Sequence, residues 1–222
     1  MWQVRLGIVL VVAAAAFAAP HRHRLHRQTS IVVHGMAEGP DGRLWLAARD
    51  GLYTFSGLHF QKEIDRPTDA LRFVGFTSDG SLWLGGRDGL LRRRGNAWET
   101  LVSGDIAAMA VVGSRVLIKT ETLLEVDESG GVRSFEDTPR GDLLPDAAGD
   151  VYFVGGDLRV HRYSRQLRRV EPLAALGGYL HVLPAPGGGY WAAYDRRADL
   201  VDGGTVLLRL SRGVAPGGLR TG

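Results

Sequence analysis

From residue 31 onward the chain reads as short apolar–polar alternations cut by Gly- and Asp-rich turns. Ile31-Val32-Val33 is apolar and β-branched. Arg43–Ala47 alternates around Trp45, Leu52–Phe55 resumes after Asp50-Gly51, and His59–Lys62 completes the set. A period of two marks a half-buried strand, and Asp-Gly between two such runs marks a hairpin. The turn expected at Asp-Gly is type I′, with positive φ at both central residues. The pattern predicts a four-stranded antiparallel meander.

The meander is repeated. Ala37–Phe60 and Phe76–Leu101 align directly: each has an Asp-Gly turn, then Leu-Trp-Leu, then Arg-Asp-Gly-Leu. Weaker copies follow, with Leu117, Tyr152 and Trp191 at the tryptophan position. The markers at 45, 83, 117, 152 and 191 are spaced by 38, 34, 35 and 39 residues. Five units thus occupy residues 31–210. One meander cannot bury both faces, whereas meanders stacked radially can, so the fold class predicted is all-β, a β-propeller of four-stranded antiparallel blades. The large residue in strand two is expected to fill the contact between neighbouring blades. Small pairs beside it (Ala47-Ala48, Gly85-Gly86, Gly155-Gly156, Ala192-Ala193) are expected to let backbones approach. If the five units do not close, the first and last blades expose strand edges and apolar faces. The Ile31–Val33 strand would close the ring by joining the last blade.

The rest of the chain is divided as follows. Leu6–Ala19 is a 14-residue apolar run preceded by Arg5 and ending in Ala16-Phe17-Ala18. That is the pattern of a secretory signal peptide, residues 1–19, or of an N-terminal anchor. A helix of this length spans about 21 Å, short of the ~30 Å hydrocarbon core. Residues 20–30 form a basic linker whose histidines (21, 23 and 26) have no metal-site spacing, and residues 211–222 a flexible tail. The positive charge directly after the apolar run opposes simple export. Exported, the protein is periplasmic or extracellular. The linker also explains a pI of about 9.5. Four of the 27 basic residues (Arg5, Arg22, Arg24, Arg27) precede residue 30, leaving 23 against 24 acids. With no basic excess in the body, a nucleic-acid partner is not expected. The chain has no cysteine, which removes disulfides, thiolate metal sites and a cysteine nucleophile.

The motif Asp41-Gly42-Arg43-Leu44-Trp45-Leu46 with Gly51-Leu52, repeated as Asp79-Gly80-Ser81-Leu82-Trp83-Leu84-Gly85-Gly86 with Gly89-Leu90, resembles the two-component regulator propeller repeat. The resemblance covers Ala37–Leu101 well, and persists over Met109–Leu210 only in spacing. It implies an extracytoplasmic propeller, commonly seven-bladed, serving as input module of membrane-bound signalling proteins such as histidine kinases. Five units fall short of seven. The chain is therefore expected to be either a fragment of a larger sensor or a small stand-alone propeller.

Ligand-binding residues are sought in the turns between second and third strands, which face one end of the channel. Arg49, Arg87, Tyr194 and Arg196 are the candidates, because guanidinium forks hold carboxylates or sugars bidentately. The turn aspartates and the arginines are also explained as turn formers and solvated charges. His34, His59, His161 and His181 fall in different copies at unequal offsets. No Gly-x-Ser-x-Gly, His-Glu-x-x-His or singled-out carboxylate pair occurs. The function expected is therefore a non-catalytic sensor of a small molecule or glycan, with no cofactor and no metal. The alternatives are a secreted propeller enzyme, a glycoside hydrolase or lyase, and a protein-interaction scaffold.

Overall fold

In a computed structural model of the chain, the residues described are 31–57, 59–63, 70–136, 139–173, 181–186, 188–193, 197–202 and 205–211. The expected signal segment, linker and most of the tail lie outside them. The described residues contain 20 strands and no helix. They form five antiparallel sheets of four strands, each in sequence order. Blade 1 holds β1 (Val33–Glu38), β2 (Leu44–Ala48), β3 (Gly51–Phe55) and β4 (Phe60–Lys62). Blade 2 holds β5 (Leu71–Phe76), β6 (Leu82–Gly86), β7 (Gly89–Arg94) and β8 (Ala97–Ser103). Blade 3 holds β9 (Ala108–Val112), β10 (Arg115–Lys119), β11 (Leu123–Val126) and β12 (Val132–Phe135). Blade 4 holds β13 (Pro139–Pro145), β14 (Val151–Gly155), β15 (Val160–Ser164) and β16 (Arg169–Pro172). Blade 5 holds β17 (His181–Pro184), β18 (Tyr190–Ala193), β19 (Arg197–Asp202) and β20 (Thr205–Ser211). First strands of consecutive blades lie side by side, which sets them nearest the axis. Gly35 permits that approach: a Cβ there would stand 2.5 Å from the Arg72 carbonyl oxygen of the next blade.

The register explains the repeat. Residues paired across antiparallel strands point to the same face. Gly75, Trp83, Arg92 and Glu99 therefore form one row across blade 2. Trp83 meets Ile106, Val116, Ile118 and Val126 of blade 3. Trp45 packs in the same way on Leu71, Val74, Leu82 and Leu84 of blade 2, Leu117 on Leu143, Val151 and Phe153 of blade 4, and Tyr152 on Val182, Tyr190 and Val201 of blade 5. Each marker residue is thus a knob that only the following blade covers. Burying a tryptophan removes about 150–250 Å² from water, or about 4–6 kcal/mol of transfer free energy.

The hydrogen bonding of the motif differs between its two best copies. Trp83 Nε1 donates to Thr77 Oγ1 at 2.9 Å, and Thr77 Oγ1 donates to Asp79 Oδ1 at 2.6 Å. The Asp79 carboxylate also accepts from Ser81 N (3.1 Å) and Ser81 Oγ (2.7 Å). These donors, Thr77 first, hold the Asp79 carboxyl below its usual range. In blade 1 glycine replaces the threonine at position 39, and the buried Trp45 Nε1 has no hydrogen-bond partner among the described residues. An unmet buried donor costs about 1–3 kcal/mol, less than the indole gains by burial, so Trp45 stays inside.

Two expectations are corrected. The Asp-Gly turns are not type I′, since neither Asp41 nor Asp79 has positive φ. Gly42 (φ 75°) and Gly80 (φ 81°) do, and Gly42 N and Gly80 N donate to the carbonyls of Gly39 and Thr77 at 2.9 and 2.8 Å. This is a type I turn closed by a left-handed glycine. The aspartate stays in the ordinary region because its carboxylate accepts the backbone N–H two residues on. The first strand is also displaced: it starts at Val33 rather than ending there. Its sequence, Val-His-Gly-Met-Ala-Glu, is too polar to read as a strand, and pairing with β2 imposes it. Among the described residues no strand crosses to another blade, so Ile31–Val33 does not join the last one.

A buried polar clasp joins blades 3 and 4. Glu125, 1% exposed, accepts from the Tyr163 hydroxyl and from Arg168. Burial first, and then the bond to Glu125, push the Tyr163 phenol up to about 12 from 10.0. The neutral phenol is thus the form the fold prefers. Its contribution is whole below pH 10 and is lost as pH rises through about 12.

Two measurements check these networks. Thr77→Val keeps the shape but strips Trp83 of its acceptor, and is expected to cost about 1–3 kcal/mol in denaturant unfolding. Tyr163→Phe should cost a similar amount at neutral pH, with the deficit relative to wild type shrinking as titration proceeds above pH 10. A pH-independent deficit would show that the phenol does not hold Glu125.

Candidate functional site

Arg49 and Arg87 open the turns that follow the second strands of blades 1 and 2, two residues before Gly51 and Gly89. The glycine is required there: Gly89 has φ 133°, and a Cβ would stand 2.1 Å from the Val102 carbonyl oxygen. Each turn is tied to the entry of the following blade. Ala70 N donates to the Arg49 carbonyl (2.8 Å) and Ile106 N to the Gly86 carbonyl (2.9 Å). The first of these bonds holds Ala70 at φ 57°, a left-handed conformation that costs a non-glycine residue about 1–3 kcal/mol.

The two turn arginines line one cavity of about 530 Å³, together with His34, Ala70 and Arg72. His34 and Arg72 lie at the start of β1 and β5, 38 residues apart, as Arg49 and Arg87 are. The cavity is therefore built from two repeat-equivalent pairs brought together by neighbouring blades. Arg72 is fixed by Asp105, with Nη2–Oδ1 at 2.6 Å and Nη1–Oδ2 at 3.2 Å, and by the Ile106 carbonyl at 3.2 Å. Arg49 and Arg87 are exposed and have no carboxylate partner among the described residues. The neighbouring Asp50 turns to its own blade, accepting from Tyr53 Oη at 2.5 Å and Lys62 Nζ at 3.5 Å. The Tyr53 bond, first among the causes, holds the Asp50 carboxyl below its usual range and pushes the phenol up to about 12. Among the described residues the cavity thus presents two guanidinium groups without a carboxylate partner, one paired guanidinium and an imidazole. That set accepts a carboxylate, sulfate or phosphate bearing ligand.

A second cavity, of about 280 Å³, opens at the same end between blades 4 and 5, lined by Arg140, Asp142, Leu144, Val154, Leu158 and His181. His161 lies apart from both, 7% exposed, 3.0 Å from Asp157 and stacked on Phe153. The other two candidates, Tyr194 and Arg196, lie outside the described residues. Sequence reasoning did not single out Arg72 as a site residue or pair it with His34. Carrying the 38-residue offset over to the polar positions of the first strands would have done so.

No family model and no curated protein matches the sequence. Solved structures do. A virginiamycin B lyase from Staphylococcus aureus superposes with a TM-score of 0.61 at 11% identity, over 81% of this chain and 70% of that one. The extracellular domain of the putative one component system BT4673 from B. thetaiotaomicron gives 0.60 at 17% identity, over 78% of this chain but only 28% of that one. The Dos1 propeller gives 0.62 at 13% identity, over 83% and 59%. The chain is a β-propeller, and extracellular domains of putative two component systems are among the structures whose fold it shares. One expectation is overturned: the chain cannot be set down as no enzyme, because lyases stand among its structural neighbours. The inference from missing motifs failed for a physical reason. A propeller assembles its site from turns of different blades, so its chemistry leaves no contiguous signature.

Proposed function

We propose that the chain is an exported, ligand-binding β-propeller of the sensor type, and that the cavity between blades 1 and 2 takes an anionic small molecule or acidic glycan. One observation carries this reading: Arg49 and Arg87 converge with Arg72 and His34 on one cavity, and the first two are left without carboxylate partners among the described residues. Guanidinium groups that share a cavity repel each other, so an anion bound there relieves the repulsion as well as accepting bidentate bonds. The apolar leader-like run and the extracellular sensor domains among the structural neighbours support export. A membrane-bound signalling partner such as a histidine kinase would then read the bound state.

The lyase neighbours give weight to a second reading, a catalytic propeller. The second cavity supports it, since His181 sits there with Arg140 and Asp142, a general base candidate beside charged groups.

Titration calorimetry against a uronic-acid oligosaccharide and its neutral counterpart tests the first reading. The acidic ligand is expected to bind and the neutral one not, with affinity falling as salt rises. Arg49→Ala and Arg87→Ala should each weaken binding by about 10- to 100-fold, the worth of a charge-assisted hydrogen bond. Unchanged affinity in both variants would remove the arginine site. Mass spectrometry of the ligand recovered from the same cell reports turnover. A cleaved product lost in His181→Ala would favour the catalytic reading.

A further inference from the structure

Antiparallel strands alternate in direction, so the turns between first and second strands, and between third and fourth, lie at the end of the propeller opposite the cationic cavity. At that end a cavity of about 500 Å³ opens between blades 3 and 4, lined chiefly by Ser114, Arg115, Asp150, Ser164, Arg165 and Gln166. Its size is that of a small-molecule site, about 300–1,000 Å³, and its lining is polar. The turn that supplies the last three of these residues is strained. Arg168 has φ 49°, in the left-handed region that a non-glycine residue seldom takes. Blade 3 holds it there from two sides: Arg168 Nε donates to the buried Glu125 at 2.9 Å, and Arg133 Nη1 donates to the Arg168 carbonyl at 2.9 Å. Such strain persists only where the surroundings over-determine it, and it clusters at ligand sites.

The same turn places Arg165. Its guanidinium lies against two glycine turns, one from each blade: a Cβ on Gly113 would stand 2.7 Å from Nη2, and one on Gly149 3.3 Å from Nη1. Both glycines have positive φ (63° and 85°), so a side chain at either place would be strained as well as crowded. The guanidinium is positioned by packing and has no acceptor and no carboxylate partner among the described residues, while the Arg165 backbone N–H donates to Asp150 Oδ1 at 2.8 Å. Asp150 Oδ2 accepts no hydrogen bond among the described residues. Its ion-pair partner, Arg162 Nε at 3.8 Å, already donates to Glu171 at 3.1 Å. Arg115 is answered by Glu125, Nε to Oε1 at 3.9 Å. One cavity thus holds an unmet guanidinium and an unmet carboxylate oxygen that do not pair with each other. Ser164 Oγ, which accepts from Leu167 N at 3.3 Å, keeps its own proton to donate.

We propose that this cavity is a second binding site, for the zwitterionic head of a free α-amino acid, with the carboxylate on the Arg165 guanidinium and the ammonium on Asp150 Oδ2. A carboxylate forms a bidentate charge-assisted pair with a guanidinium, and an ammonium supplies the donors that a carboxylate oxygen lacks. A simple anion satisfies Arg165 alone and meets the charge of Asp150, and a neutral sugar neutralises neither group. Ser114 and Gln166 are left to meet the side chain of the amino acid. The charge pattern sets this site apart from the cavity between blades 1 and 2, whose lining holds no carboxylate among the described residues. It stands independently of the anion-binding reading of that cavity.

Saturation-transfer NMR on the full chain, with each of the standard α-amino acids as probe, is the test. At least one is expected to bind saturably. Its N-acetyl derivative and its amide, each lacking one of the two charges, are expected not to bind. Arg165→Ala should weaken binding by about 10- to 100-fold, as the loss of a charge-assisted pair does. Arg165 is exposed and its side chain makes no bond among the described residues, so circular dichroism should be unchanged. Asp150→Asn keeps an acceptor for the Arg165 N–H, removes the charge, and should weaken binding about 10-fold. A saturating uronic-acid oligosaccharide should not displace the amino acid. Binding by none of the amino acids overturns the proposal. So does equal binding of the amide or the N-acetyl derivative, affinity unaltered in either variant, or displacement by the uronic-acid oligosaccharide, which would put the probe between blades 1 and 2. If that oligosaccharide itself fails to bind, the arginine site falls and this one stands.

Discussion

The structure depends on a two-faced blade whose large second-strand residue has no cover within its own sheet. Trp45, Trp83, Leu117 and Tyr152 all project to the side on which the next blade lies. Antiparallel register makes this unavoidable, because a slip of one residue would turn every knob to the other face. The burial of one blade is therefore the surface of the next, and stability passes along the array between neighbours.

Polar groups are accommodated around that apolar spine. The Trp83–Thr77–Asp79 relay satisfies a buried indole, while Trp45 is retained without one because burial outweighs a single unmet donor. At the rim, Asp50 turns back onto its own blade, while Arg49 and Arg87, without a carboxylate partner among the described residues, line a cavity across the blade boundary. The cationic cavity follows from that division of labour. It arises where blades 1 and 2 place the same two repeat positions twice, giving His34 with Arg72 and Arg49 with Arg87.

The strands of the first two copies were legible because Leu-Trp-Leu and Asp-Gly are local signals, read within five or six residues. The first strand of blade 1 was not, because Gly35 and His34 dilute its alternation and only pairing with β2 holds it extended. The turn type was misjudged for a related reason: an aspartate that bonds to the backbone two residues on does not need a left-handed conformation. Arg49 and Arg87 were found by their place in the turn. Arg72 was not, since nothing near it in the chain distinguishes a strand-end arginine bound to a carboxylate 33 residues away. The expectation of no enzyme came from the lack of contiguous motifs, a signal that propeller chemistry does not leave.

By itself the sequence determined the blade: its strand count, its turns and the repeat of a bulky second-strand residue, all consequences of local alternation and of glycine where the turn needs it. Tertiary structure alone decided which residues meet. Packing blade against blade gathered two pairs of positions 38 residues apart into one cationic cavity, buried four of the five marker knobs, and left the face around Trp191 without a following blade among the described residues. Those outcomes depend on contacts between units distant in the chain, and no local pattern records them.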